Sequence, residues 1–300
     1  MRTVPIRLPI LLAVCFYGLS IFAGWRVQAQ QSCPATFAVK IPTAANIFSI
    51  EQERALGDIE GEEVESAYHQ IHDDGLEAHL NGVAGRVFAK FQGNLTRVRV
   101  LLIDTPEADT FSVGPDRIYI TRKMVALLRN DDELAGLLGH ELGHIQMHQN
   151  AIVVSQLFHE VLGVDAVSDR KDIEVKFRQM LGSIDQDRKK LRKAVLIIER
   201  QEAIHQYAAD RFALYVSAAA GFSPKAFVEL FDRSAGTNGS TGSFLTDFFG
   251  VTSSDERRLS EIKKSLKRLP PACREIAPSD SAEFRTWQAA VISYPDMAQR

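Results

Sequence analysis

The stretch 130–148 constrains this chain more than any other. Asn130, followed by Asp131, Asp132 and Glu133, has the form of a helix N-cap with an acid three positions on. Leu134, Leu137, Leu138, Leu142 and Ile145 then recur at helical spacing. The reading is a strongly apolar helix of about five turns. Within it stands His140-Glu141-Leu142-Gly143-His144. Residues four apart lie one above the other on a helix, so the two imidazoles can share one metal ion. Glu141 can then act as a general base on a water beside that metal. Five letters also arise by coincidence as a polar stripe, but the cap and the apolar periodicity favour the metal helix. Gly136, Gly139 and Gly143 each cost about 1 kcal/mol of helix propensity against Ala. They predict a close approach, by another backbone, by substrate or by a tightly packed helix.

The first 29 residues have a different character. Arg2 and Arg7 precede an apolar run over 8–24, and Val27-Gln28-Ala29 is a small-residue cleavage signal. This reads as a secretory signal peptide, which implies export of the chain. The alternative is an uncleaved signal anchor tethering the protein to the inner membrane, since the apolar run is at the lower edge of spanning length. Cys15 lacks the small residue before it that a lipoprotein signal wants, which argues against lipidation. Removing residues 1–29 takes away three basic residues, Arg2, Arg7 and Arg26, and no acid, so the net charge moves from −3 to −6. That balance, with no basic stripe interleaved with aromatics, argues against a nucleic-acid partner. Cys33 and Cys273 remain, and in an oxidising compartment they can pair and tie the two ends together.

Residues 30–48, with Pro34 and Pro42, read as an irregular lead-in. From 49 to 91 the pattern is helical and charged. His69, His72 and His79 fall there and read as surface histidines, because no acid or cysteine completes a ligand set around them. Two strand-like runs follow at 98–103 and 117–121, with turn signals at Thr105-Pro106 and Val113-Gly114-Pro115-Asp116. A strand before a metal helix can offer an edge to which a peptide adds, although a plain structural hairpin fits the letters equally well. Residues 151–164 continue as apolar helix. The block 168–193 is densely charged with periodic apolar residues, a helical excursion that faces water or covers the cleft. A second long helix over 194–220 stops at Gly221, and Ser223-Pro224 opens another through Phe231. Residues 235–243 read as a Gly- and Ser-rich loop, and Ser254-Asp255-Glu256-Arg257-Arg258 leads into a last helix before Pro270-Pro271. The expected architecture is α+β, mostly helical, with one catalytic domain over 49–269, a small sheet beside the metal helix and a tail over 270–300.

Several of these residues form an ordered set. It runs from Ser49-Ile50-Glu51-Gln52-Glu53 with Leu56-Gly57, through Asp109-Thr110-Phe111 and Asp132-Glu133-Leu134-Ala135, into the His140–Glu141–His144 motif with His148. It continues through Ala209-Asp210-Arg211 and the 254–258 segment to Phe284-Arg285-Thr286-Trp287. The set covers nearly all of the chain after residue 29 and resembles the HtpX-like zinc metallopeptidases, specifically their soluble periplasmic branch. The resemblance implies a zincin-like fold, one zinc ion per chain and protein or peptide substrates such as misfolded or stalled envelope proteins. It leaves room for peripheral membrane association and leaves the oligomeric state open. It also implies His140 and His144 as ligands, Glu141 as catalytic base and Asp210 as the partner that orients a ligating histidine.

Two departures stand out. Similar proteins take a third zinc ligand from a Glu four residues before the Asp, and here that position is Gln206. A glutamine amide oxygen is neutral and a poorer zinc donor than a carboxylate. Glu202, one turn earlier on the same face, is the alternative, and His205, roughly 100° around the helix, comes after it. The second departure is the loop before the 254–258 segment, which lacks the histidine found in similar proteins. Together the departures motivate an alternative function, a weakened or inactive member that binds client proteins.

Overall fold

The computed structural model describes residues 33, 45–91, 98–234, 240–243 and 256–295. The sheet grows from short apolar runs. β1 (His69–Gln70), β2 (Arg99–Asp104), β3 (Asp109–Val113), β4 (Arg117–Thr121) and β5 (Ser240–Ser243) stand in the order β1-β2-β4-β3-β5. The two strands expected from the sequence, β2 and β4, are neighbours but run parallel, with Val100 opposite Ile118. The hairpin is made instead by β3 and β4, antiparallel with Phe111 opposite Tyr119. Its turn needs Gly114, which has φ of 58° and whose Cα lies against the backbone of Gly57; a Cβ there would stand 2.6 Å from Gly57 Cα. Part of the expected 235–243 loop is also strand, since β5 runs parallel to β3 from Ser240 opposite Asp109 to Ser243 opposite Ser112.

Period-two alternation sends the sheet residues into two cores. Val100, Leu102, Ile118 and Ile120 join one, and Ile103, Phe111, Val113 and Tyr119 join the other. The first core is filled by α2 (Asp74–Phe88), α3 (Arg122–Leu127), α4 (Asp131–Gln146), the later part of α7 (Arg188–Ala219) and α8 (Pro224–Ser234). The second is filled by α1 (Ile50–Ala67), α5 (Gln149–Leu157) with its π-helical extension Phe158–Leu162, α6 (Arg170–Gln186) and the start of α7. The charged block is therefore not one excursion. It is α6 plus the first turns of α7, divided at Asp187, whose side chain accepts from Lys189 N to cap the second helix.

After α9 (Glu256–Arg268) and α10 (Pro271–Arg274), the chain closes with α11 (Ala282–Ile292). Phe284, Trp287 and Val291 are buried in the first core, and Trp287 Nε1 donates to the Leu76 carbonyl at 3.0 Å. This packing corrects the reading of His79. Its side chain is largely covered, stacks on Trp287 at 4.6 Å and lies 2.8 Å from Asp131, whereas His69 and His72 are exposed as expected. Cys33 and Cys273 form a disulfide with 4.6 Å between their Cα atoms. Residues 1–29, expected to be a signal peptide, and most of the lead-in 30–48 lie outside the described residues. These elements make the chain α+β and mostly helical, the zincin-like arrangement in which a small sheet flanks the motif helix.

Candidate active site

Helix α4 starts as its cap letters predict, with one shift. Asn130 accepts from Glu133 N at 2.9 Å, but the Glu133 carboxylate turns to Arg129 N at 2.8 Å and to Arg233, instead of closing the box on Asn130. The three glycines then bring α4 against its neighbours. A Cβ on Gly143 would meet Ala209 Cα at 2.9 Å, and one on Gly139 would meet Val216 Cγ1 at 2.7 Å and Ala213 Cα at 3.2 Å. Gly136 meets the Phe227 side chain of α8 in the same way. Of the readings open from sequence, tight helix packing accounts for all three.

That contact sets His140 and His144 beside the turns of α7 that carry Gln206 and Asp210. His140 Nδ1 lies 3.0 Å from Asp210 Oδ1, and the two residues are all but fully buried. The carboxylate, close to Nδ1 although not in line with a hydrogen bond, favours the proton on Nδ1 and so leaves the lone pair of His140 on Nε2. That nitrogen lies 2.9 Å from Nε2 of His144. Gln206, also buried, stands close enough to His140 to influence its charge, and Gln149 does the same for His144. Glu141 is fully buried beside them on α4.

Arg258, at the start of α9, is the residue that the sequence reading did not single out. Its Nε and Nη2 donate to Asp210 at 2.9 and 2.7 Å, its Nη2 stands 3.3 Å from His140 Nε2, and the guanidinium lies 4.5 Å over the Phe231 ring. Only 4% of it is exposed. The one signal for it was the Arg257-Arg258 pair at the mouth of an amphipathic helix, which does not say which arginine turns inward.

Charge in this pocket is tightly managed. Burial pushes the His140 imidazole below its ordinary pKa, against the opposing pull of Asp210. His144 is pushed well below, by burial first and then by His140, Arg258 and His205. Burial works to raise Asp210, but Arg258 and His140 outweigh it and hold the carboxyl below the usual range. The two motif histidines are thus neutral at pH 7, the form a metal requires.

Of the expected residues, His140, His144, Gln206 and Asp210 are brought together, and Glu141 is buried next to His140 on α4. His205 is buried with Nδ1–H donating to the Gln201 carbonyl at 2.7 Å. The backbone of Glu202 lies in α7, but its side chain is outside the described residues. Among the described residues, no group of three His, Cys, Asp or Glu side chains gathers closely enough to hold a metal. The two imidazoles and the Gln206 amide form the candidate donor set.

Residues 73–277 match the family model for peptidase family M48. Over 103 residues the chain is 24% identical to a Yersinia pestis protein described as beta-barrel assembly-enhancing protease. That match takes in 34% of this chain and 21% of the relative, so it spans about a fifth of the relative's length.

Proposed function

Because the chain belongs to peptidase family M48, we propose that it is a zinc-dependent endopeptidase whose metal His140 and His144 would hold. The observation that carries this reading is the pair of Nε2 atoms 2.9 Å apart, with His140 anchored from behind by Asp210 at 3.0 Å. The donors fit zinc: two neutral imidazole nitrogens on one helical face and an amide oxygen at the family's third position. Zinc bound there supplies Lewis acidity, polarising a scissile carbonyl and making water nucleophilic near neutral pH. Glu141 would take the proton from the attacking water and pass it to the leaving amine. Asp210 holds the His140 tautomer, and Arg258 neutralises Asp210 so that the histidine is oriented without being protonated. Gln206 contributes a neutral donor, which leaves the centre one unit more positive than a glutamate would.

The substrates are misfolded or stalled proteins of the cell envelope, reached by export through the 1–29 segment, which lies outside the described residues. The Cys33–Cys273 disulfide is in keeping with an oxidising compartment. Client binding without catalysis has Gln206 and the missing loop histidine in its favour. The intact base and the Asp210-oriented histidine favour turnover.

The test is zinc content with casein cleavage. The expected result is close to one zinc per chain, and cleavage that falls by a factor of about 10² to 10⁴ in Glu141→Gln with zinc retained. Cleavage indifferent to Glu141→Gln would overturn the catalytic reading. Gln206→Glu should tighten zinc binding; unchanged affinity would remove Gln206 from the ligand set.

A further inference from the structure

The first turns of α7 carry a feature that the metal site does not use. Ala194, Ile198 and Gln201 are buried along the inner side of the helix. Leu196 follows Ala194 by two positions, roughly 200° around, and so points directly away from the core. At 56% exposure it leads the large apolar side chains left open among the described residues. Arg188, Lys189, Arg192, Lys193 and Arg200 surround it on the same outward face, and all are exposed. Leu191, at 39%, adds apolar surface on the flank. Lys193 pairs with Glu160, but among the described residues no carboxylate pairs with Arg188, Lys189, Arg192 or Arg200. The acids nearby are Asp185 and Asp187 at the helix start and Glu199 on the face itself, fewer than the cations. This cationic face belongs to a chain whose net charge is −3.

We infer that this face docks the protein on an anionic membrane surface. Unpaired cations attract acidic headgroups, each giving about a fivefold gain in partition close to the surface. A leucine at the centre of the ring adds shallow insertion, the pattern of an interfacial helix that lies on a bilayer without spanning it. The Arg side chains bury their stems along the interface while their heads reach phosphate. A nucleic acid or an acidic protein would answer the charge but gives no use for Leu196 at the centre. The inference is independent of the metal site.

The test uses the full chain and vesicles of phosphatidylcholine, with or without about one-third phosphatidylglycerol. Partition is measured by flotation, and amide hydrogen exchange locates the contact. Expected are a preference for anionic vesicles that is lost in about 0.5 M salt, and slowed exchange over 188–200 with those vesicles alone. The triple variant Arg188→Ser, Lys189→Ser, Arg192→Ser should lose that preference more than tenfold, and Leu196→Ser should lose it several-fold at unchanged charge. These positions are exposed, and unchanged circular dichroism and melting would certify the fold. Exchange over 188–200 that ignores the vesicles, even while the chain binds through another segment, overturns the inference. So does equal capture by polyglutamate with no effect of Leu196→Ser, which would make the face an electrostatic surface for acidic proteins.

Discussion

One helix, α7, lives in two environments. Its first half has a buried line at Ala194, Ile198 and Gln201 and an opposite face of exposed cations. Its second half is enclosed almost all round: over 209–218 only Arg211 is exposed and Tyr215 half-exposed. The first half is an ordinary amphipathic helix, placed by apolar burial and free to vary outside. The second half is placed by near backbone contact, because α4 carries no side chain at Gly139 and Gly143. A contact of that kind admits little sliding. The difference teaches that the spacing between the histidines on α4 and Gln206 and Asp210 on α7 is set by steric register, before any metal or ion pair acts.

The comparison can be broken most forcefully at the ion pair. Arg258→Met leaves the Asp210 carboxylate buried with only His140 to answer it, and should cost about 3–5 kcal/mol in denaturant unfolding. A loss below about 1 kcal/mol would mean that packing alone holds the second half.

The other core offers the next effect, with its own pH signature. Glu60 of α1 is fully buried, and burial raises its pKa to about 8 despite a hydrogen bond from Asn150 and the nearby charge of Arg117. Between its ordinary 4.5 and about 8, the folded protein keeps this proton while the unfolded chain releases it. Stability therefore falls as pH rises through that window and is unaffected by this group below it. Glu60→Gln should abolish the fall, gaining about 2–4 kcal/mol at pH 8 over pH 4, as read from unfolding curves at both values.

Glycine substitutions sharpen the contrast. Gly143→Ala presses a methyl on Ala209 Cα and should cost about 1–3 kcal/mol, with weaker zinc binding as the two helices part. Gly182→Ala on α6 meets nothing within 4 Å and should raise the melting point through a gain of up to about 1 kcal/mol. Smallest of all, Arg192→Ser on the outward face of α7 should alter thermal stability by no more than about 0.5 kcal/mol.

Much of this molecule was legible before its coordinates. The α4 cap, the two strands β2 and β4, the Gly221 stop and the Cys33–Cys273 pair each rest on local letters or on having only two cysteines left to pair. Asp210 was legible only through the family resemblance, and Gln206 through its spacing four residues before Asp210. What escaped depended on partners distant in sequence. Ser240-Thr241-Gly242-Ser243 has no strand pattern, and it is a strand because β3 offers its open backbone edge. His79 looked like a surface residue because its cover, Trp287, arrives from the far end of the chain. The glycines of α4 announced a close approach but could not name Ala209 and Val216 as the neighbours. Arg258 escaped for the same reason: which of two adjacent arginines turns inward is decided by Asp210 and Phe231, not by its own helix.

The Cys33–Cys273 bridge has a practical consequence for an enzyme of this kind. It encloses a sequence separation of 240 residues, so almost any peptide bond cut in the body of the protein falls inside the covalent loop. A molecule nicked by its neighbour, or by itself, would keep its mass and run as one band until a reductant is added. Self-digestion in a preparation of this protein is thus to be sought on reducing gels, and an intact band without reductant is no evidence of an intact chain.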